Sequence, residues 1–197
     1  MMGPLTAAAA VDRWLFWRVN RVWTSPSLDA LMPVVTDLHK LAWFRLGVAP
    51  AVLGLWLWRG GRRALQVLIL AAIAVGAGDV LAYRVVKPLV KRPRPEYSIV
   101  GMALRAPVGG RYGFPSNHAV NTAAAAAVLS VAYPGGAFAF AGAAALIGYS
   151  RVYVGAHYPG DVLAGWALGA GLGWPWALLM LGRGGSGAGA GRRKRRG

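Results

Sequence analysis

Five stretches of this chain stay apolar for close to the roughly 20 residues that a helix needs to cross ~30 Å of hydrocarbon. They lie at about 41–58, 64–86, 118–133, 137–149 and 160–181. The third and fourth are short and Ala-rich, and Pro134-Gly135-Gly136 turns the chain between them. Such segments belong in a bundle interior, where small residues let backbones approach. Ahead of these stretches, residues 12–23 put Leu15, Val19, Val22 and Trp23 on one helical face and Arg13, Arg18 and Arg21 on the other. That is the pattern of a helix lying in the membrane interface. Joined to 28–38 it would make a sixth, tilted span, against which Asp29, Pro33 and Asp37 argue. The predicted fold is all-α: an integral membrane helical bundle of five to six transmembrane helices with an N-terminal interfacial helix. Residues 1–40 form the interfacial segment and 41–181 the transmembrane domain. Residues 182–197 are a flexible Gly-rich linker ending in the polybasic Arg192-Arg193-Lys194-Arg195-Arg196. The Ala-rich start lacks a basic n-region, so no cleaved signal peptide is expected.

Composition narrows the chemistry. Of 197 residues 56% are hydrophobic, and 22 Lys+Arg stand against 6 Asp+Glu. The basic residues fall between the apolar runs, as loops at a membrane surface require, and the runs argue against nucleic acid as a partner. Cysteine is absent, which excludes thiolate zinc sites and cysteine nucleophiles. Six scattered acids leave little for a two-metal hydrolase centre, so neither a metal nor a cofactor is expected. With five alternating spans, one face receives the end of the second, the start of the third, the end of the fourth and the start of the fifth. The opposite face carries Arg59, Arg62, Arg63 and the basic tail without an acid, and the positive-inside rule makes it cytoplasmic. The expected location is the inner (plasma) membrane, multi-pass, with the polar face external or periplasmic.

Three loops converge on that polar face. In order they read Lys87-Pro-Leu-Val-Lys-Arg-Pro-Arg94-Pro95, Pro115-Ser116-Asn117-His118, and Ser150-Arg151 through His157 to Asp161. Arg offers a planar fork that fits two phosphate oxygens and Lys adds a point charge, so Lys87, Arg94 and Arg151 describe a phosphate clamp. Lys91, Arg92, Arg105 and Arg111 are better read as juxtamembrane anchors. Ser116 and Asn117 suit a helix start, whose free N–H groups would welcome an anion, although a plain cap explains them equally. Imidazole can serve as nucleophile, acid or base near neutrality. Asp161, four residues after His157, can take the Nδ1 proton and leave Nε2 free to attack phosphorus. His118 then protonates the departing oxygen. Taken singly, Asp161 reads as well as a helix-dipole partner and His157 as an interfacial ring; His39 is an interfacial ring and Asp79 a strut to Arg45 or Arg84.

At these residues the chain resembles the type 2 phosphatidic acid phosphatase superfamily, whose signatures are Lys-x6-Arg-Pro, Pro-Ser-Gly-His and Ser-Arg-x5-His-x3-Asp. Asn117 stands where the family has Gly. The resemblance implies a metal-independent phosphatase with nucleophile His157, acid His118 and orienting Asp161, and phosphate ligands Lys87, Arg94, Ser116, Asn117 and Arg151. It further implies membrane lipids as partners and a lipid phosphate or diphosphate as substrate. The look is nearest to bacterial undecaprenyl-diphosphatase-like members, with phosphatidylglycerophosphate, phosphatidate or lipid A phosphate as alternatives. A binding or transport protein for lipid phosphate would need the cations but neither histidine.

Overall fold

A computed structural model describes residues 4–181, so the linker and polybasic tail expected at 182–197 lie outside the described residues. The elements of the described part are all helical, with no strand beyond an isolated bridge between Pro93 and Tyr112, and residues 98–116 form a long loop. Helix α1 (Pro4–Trp17) runs on through a wider turn to Val22, and α2 (Pro26–Asp37) follows. Ser25 caps α2 by accepting from Leu28 N at 3.2 Å, and Pro26 occupies the first turn, where its missing N–H costs nothing. Helices α3 (Ala49–Val80) and α4 (Lys87–Val90) come next, then α5 (Asn117–Ala132), α6 (Ala137–Tyr153) and α7 (Pro159–Leu181).

All five predicted apolar segments are helical, but the boundary between the first two differs from expectation. No open loop separates them; α3 instead breaks at Gly61, whose φ of 52° and ψ of −136° are open only to glycine. The break folds the helix into two arms that both follow α5. Phe44 lines a groove with His118 near the start of α5, and Trp56 meets Tyr133 at its end. The return arm begins with Arg63, which donates to Ala132 O at 2.9 Å, and closes with Lys87, which donates to Pro115 O at 2.6 Å.

Among the described residues two helical stretches are long and apolar enough to cross a membrane, Phe44–Val90, which includes the break at Gly61, and Pro159–Leu181. Helices α5 and α6, with 16 and 17 residues, reach only about 24–26 Å at ~1.5 Å per residue. The small residues of α5 place it inside the bundle, whereas α6, expected there too, is largely exposed over 138–146, with Phe138 95% exposed, because only one of its faces meets α5. Gly165, Gly169 and Gly173 repeat every fourth residue on α7 and face α5. A Cβ at Gly165 would lie 2.8 Å from Ser116 O, one at Gly173 2.5 Å from Ala124 O, and one at Gly169 would collide with Val120 O. Only glycine permits this approach, which brings the starts of α5 and α7 together.

The N-terminal helix departs from the prediction in which side it buries. Phe16, Val19 and Asn20 are inside, whereas Val22 and Trp23 are exposed. Phe16 tilts against Tyr158 at 5.4 Å between centroids and shares a core with Met32, Tyr153 and Val162. Asn20 explains the rotation. Its amide donates to Ala103 O and Tyr153 O and accepts from Ala103 N, each at 2.8 Å, so a polar residue sits on the packed face with every bond satisfied.

Candidate active site

The turn after α6 delivers the first histidine. Gly155 has φ of 89° and a Cβ there would lie 2.8 Å from Ala103 O, so glycine is required twice over. The turn folds His157 back until its N–H and that of Ala156 both donate to Arg151 O, at 3.2 and 3.0 Å. Ser116 N donates to Asp161 O at 2.9 Å, which ties the start of α5 to the first turn of α7. Lys87, Arg94 and Arg151 arrive from the α4 start, the following loop and the last turn of α6, and all three are buried.

These residues surround a cavity of about 680 Å³, lined among others by Lys87, Arg94, Asn117, His118, Arg151 and His157. Lys40, Lys91 and Arg111 are the other charged groups in its wall, which therefore holds cations and no acid. Such a concave, one-signed wall concentrates anions. Arg94 is held from three sides: Nε donates to Gly110 O at 2.8 Å, and Nη1 lies 2.9 Å from Ala156 O and 2.7 Å from His157 Nε2. Arg151 donates to Thr36 Oγ1 at 2.7 Å, while its Nε has no partner.

The contact between Arg94 and His157 fixes a tautomer. A guanidinium can only donate, so Nε2 must be the unprotonated nitrogen and Nδ1 must carry the proton. Nδ1 lies 3.5 Å from Asp161 Oδ2, adjacent but longer than a hydrogen bond. Burial, then the charges of Arg94, Arg151 and Lys87, hold the His157 imidazole well below its ordinary pKa of about 6.5. The ring is thus neutral, and its Nε2 lone pair accepts from Arg94 in the wall of a cationic cavity.

Most of the residues expected at the site are brought together, with differences in what they touch. Ser116 makes no side-chain cap, and its buried hydroxyl is without a partner. The Asn117 amide donates to Asp79 Oδ1 at 2.7 Å, and Asn121 adds a second bond at 3.2 Å. Asp79 is thus no strut to Arg45 or Arg84; it holds the start of α5. His39, expected to stand alone, meets His118 edge-on at 5.5 Å.

Arg92 departs furthest from its expected anchor role: Nη1 donates to Asp161 Oδ1 at 2.8 Å, its other arm binds Asp12, and its plane lies 4.3 Å over the Tyr158 ring. Arg105 likewise binds Asp29 and the carbonyls of Asn20 and Tyr153. Sequence reasoning missed Thr36, Asp12 and Asn20. For Asp12 a signal existed: in a chain with six acids, each acid next to several arginines is worth pairing.

Comparison with known proteins places the chain. Over 94 residues it is 38% identical to the lipid A 1-phosphatase of Rhizobium johnstonii, covering 46% of this chain and 38% of that one. Over 107 residues it is 34% identical to the undecaprenyl-diphosphatase of Sulfolobus acidocaldarius, covering 54% of this chain and 50% of that one. The matched stretch thus spans half or less of these relatives. The fold resembles the crystal structure of a transmembrane PAP2-type phosphatidylglycerolphosphate phosphatase from Bacillus subtilis, with a TM-score of 0.61 and 24% identity over 86% of this chain and 84% of that one. Residues 48–184, which include every catalytic and phosphate-binding candidate, match the PAP2 superfamily, and the chain belongs to that superfamily.

Proposed function

We propose that this protein is a metal-independent membrane lipid phosphatase acting through a phosphohistidine at His157, with undecaprenyl diphosphate as its substrate. The observation that carries this reading is the unprotonated Nε2 of a buried His157 in a cavity whose charged lining is entirely cationic. Nε2 attacks the terminal phosphorus, and the bond from phosphorus to the bridging oxygen breaks as His118 protonates that oxygen. Asp161 balances the positive charge that builds on the ring, and Lys87, Arg94 and Arg151 hold the equatorial oxygens, where charge accumulates. Water then attacks phosphorus, His118 takes its proton, and the nitrogen–phosphorus bond breaks to release phosphate. Atoms balance as lipid diphosphate plus water giving lipid monophosphate plus phosphate.

A membrane setting is supported by the outward apolar side chains of the two long helices, whose most apolar windows are only 22% and 28% buried. Five crossings, with α1 in the interface and the cavity on the external face, agree with the position of Arg59, Arg62 and Arg63 at the far end of the bundle. The test is phosphate release by purified protein in EDTA from undecaprenyl diphosphate, phosphatidylglycerophosphate and phosphatidate. Release from the first at the highest kcat/KM is expected. Preference for another lipid would reassign the substrate, and a need for added divalent ion would overturn the mechanism.

The pH profile follows from the state of His157. Only the neutral ring attacks, and its pKa is lowered, so the ring stays neutral as pH falls through 6.5 and protonates only below that value. The acid limb of kcat/KM, which reports the free enzyme, should therefore lie below pH 6.5. A limb at or above 6.5 would contradict a buried His157 among cations.

A further inference from the structure

Asp12 lies in α1, outside the stretch that matches the superfamily, yet it reaches the first turn of α7. Its Oδ1 accepts from Gly160 N at 2.7 Å and its Oδ2 binds Arg92 Nη2. The same guanidinium gives Nη1 to Asp161 Oδ1, and the other oxygen of Asp161 accepts from Tyr158 N at 3.1 Å and faces His157 Nδ1. One arginine thus bridges two carboxylates, and its plane is pressed on Tyr158. We infer that Asp12 and Arg92 are positioning residues, which fix the ionised Asp161 carboxylate against His157 and so make α1 a working part of the catalytic apparatus. The inference rests on the phosphohistidine reading above.

Three features support it. The Asp161 side chain is fully buried, and a buried carboxylate persists as an anion only with a partner charge and saturated lone pairs. Arg92 supplies that charge at 2.8 Å. Arg92 in turn could swing toward solvent or phosphate, being 26% exposed, but Asp12 occupies its second arm. The room around Asp12 is also cut to fit: a Cβ at Gly160 would stand 3.0 Å from its Oδ2, so glycine leaves space for the carboxylate to bind the helix start. Every charged group facing Asp161 enters the account. Arg92, Lys87 and Arg94 attract its negative charge, Asp12 repels it, and the neutral His157 ring faces its other oxygen.

The test uses the full chain in detergent with the substrate panel above and the variants Arg92→Lys and Asp12→Asn. Lysine keeps the charge but cannot bridge two carboxylates, and asparagine keeps the Gly160 bond but loses the ion pair. For Arg92→Lys, kcat should fall about 10- to 100-fold, the range for residues that orient a first ligand, with KM within about threefold. The acid limb of kcat should move to higher pH, because Asp161 without its bridge takes up a proton sooner and no longer supports the ring. Asp12→Asn should shift both in the same direction by less.

An unchanged kcat and limb in both variants would overturn the inference. So would a rise in KM with the limb unmoved, which would make Arg92 a substrate ligand, or a loss matched by the loss of folded protein. Failure of the wild type to release phosphate from any lipid would instead sink the phosphatase reading, and this inference with it.

Discussion

A His157→Ala variant should lose phosphate release by at least about 10³-fold while still binding the lipid phosphate. The size follows from what the side chain supplies. Without Nε2 no covalent intermediate can form, and the cations that remain can only hold the ground state and polarise it. Binding persists because Lys87 and Arg151 keep their carbonyl and hydroxyl anchors at Pro115 and Thr36, and Arg94 keeps its bonds to Gly110 and Ala156. Parallel measurement of turnover in EDTA and of lipid phosphate binding checks both halves. Residual turnover above about a tenth of wild type would remove His157 from the role of nucleophile, and loss of binding in step with turnover would make it a ligand only.

The second large effect lies far from the cavity. Gly169→Leu should leave no correctly folded, active protein, because even a Cβ at this position runs into Val120 O and three more carbons have nowhere to go. Overpacking of a core side chain typically costs ~1–3 kcal/mol through small shifts, but here the obstacle is backbone on a neighbouring helix and cannot turn aside. Separating α5 from α7 would also part Ser116 N from Asp161 O, the bond that joins the two helix starts. Recovery of monodisperse protein and its thermal midpoint would measure this. Wild-type stability in the variant would mean that the helices do not touch here. A leucine at Gly171, where a Cβ meets nothing, should be tolerated and serves as the control.

How much of this was legible beforehand depended on the range of the signal. Helical segments, the small-residue interior at α5 and the convergence of Lys87, Arg94, His118, Arg151 and His157 on one cavity, with Asp161 behind His157, follow from local pattern and from counting sides. What could not be read were partners distant in the chain. Arg92 sits two residues before Arg94 in the same cationic run, and nothing local says that one guanidinium points to the cavity and the other to Asp161 and Asp12. The rotated face of α1 has a similar origin. Periodicity grouped Val22 and Trp23 with the apolar side, but Asn20 finds three backbone partners on the loop and α6, and satisfying a polar group outweighs exposing a tryptophan. Asp79 was misassigned because it was matched by charge to Arg45 and Arg84, whereas neutral amides at the start of α5 and one turn into it reached it first.

The loop that roofs the cavity is riveted at both ends and tied once between them, where Gly110 O accepts from Arg94 Nε. On one side Asn20 grips Ala103, and Arg105 N donates to Val154 O at 3.0 Å. On the other Arg94 N reaches Arg111 O at 3.1 Å and Gly113 N reaches Arg92 O at 2.8 Å. Between these rivets Ala106 is buried in the core and Val108 packs against it, while Pro107, Gly109 and Gly110 form part of the wall. Because none of these bonds is made by Pro107 or Gly109, substitution at those two positions should reshape the room over the cavity without loosening the clamp beneath. The roof is in effect adjustable apart from the machinery it covers.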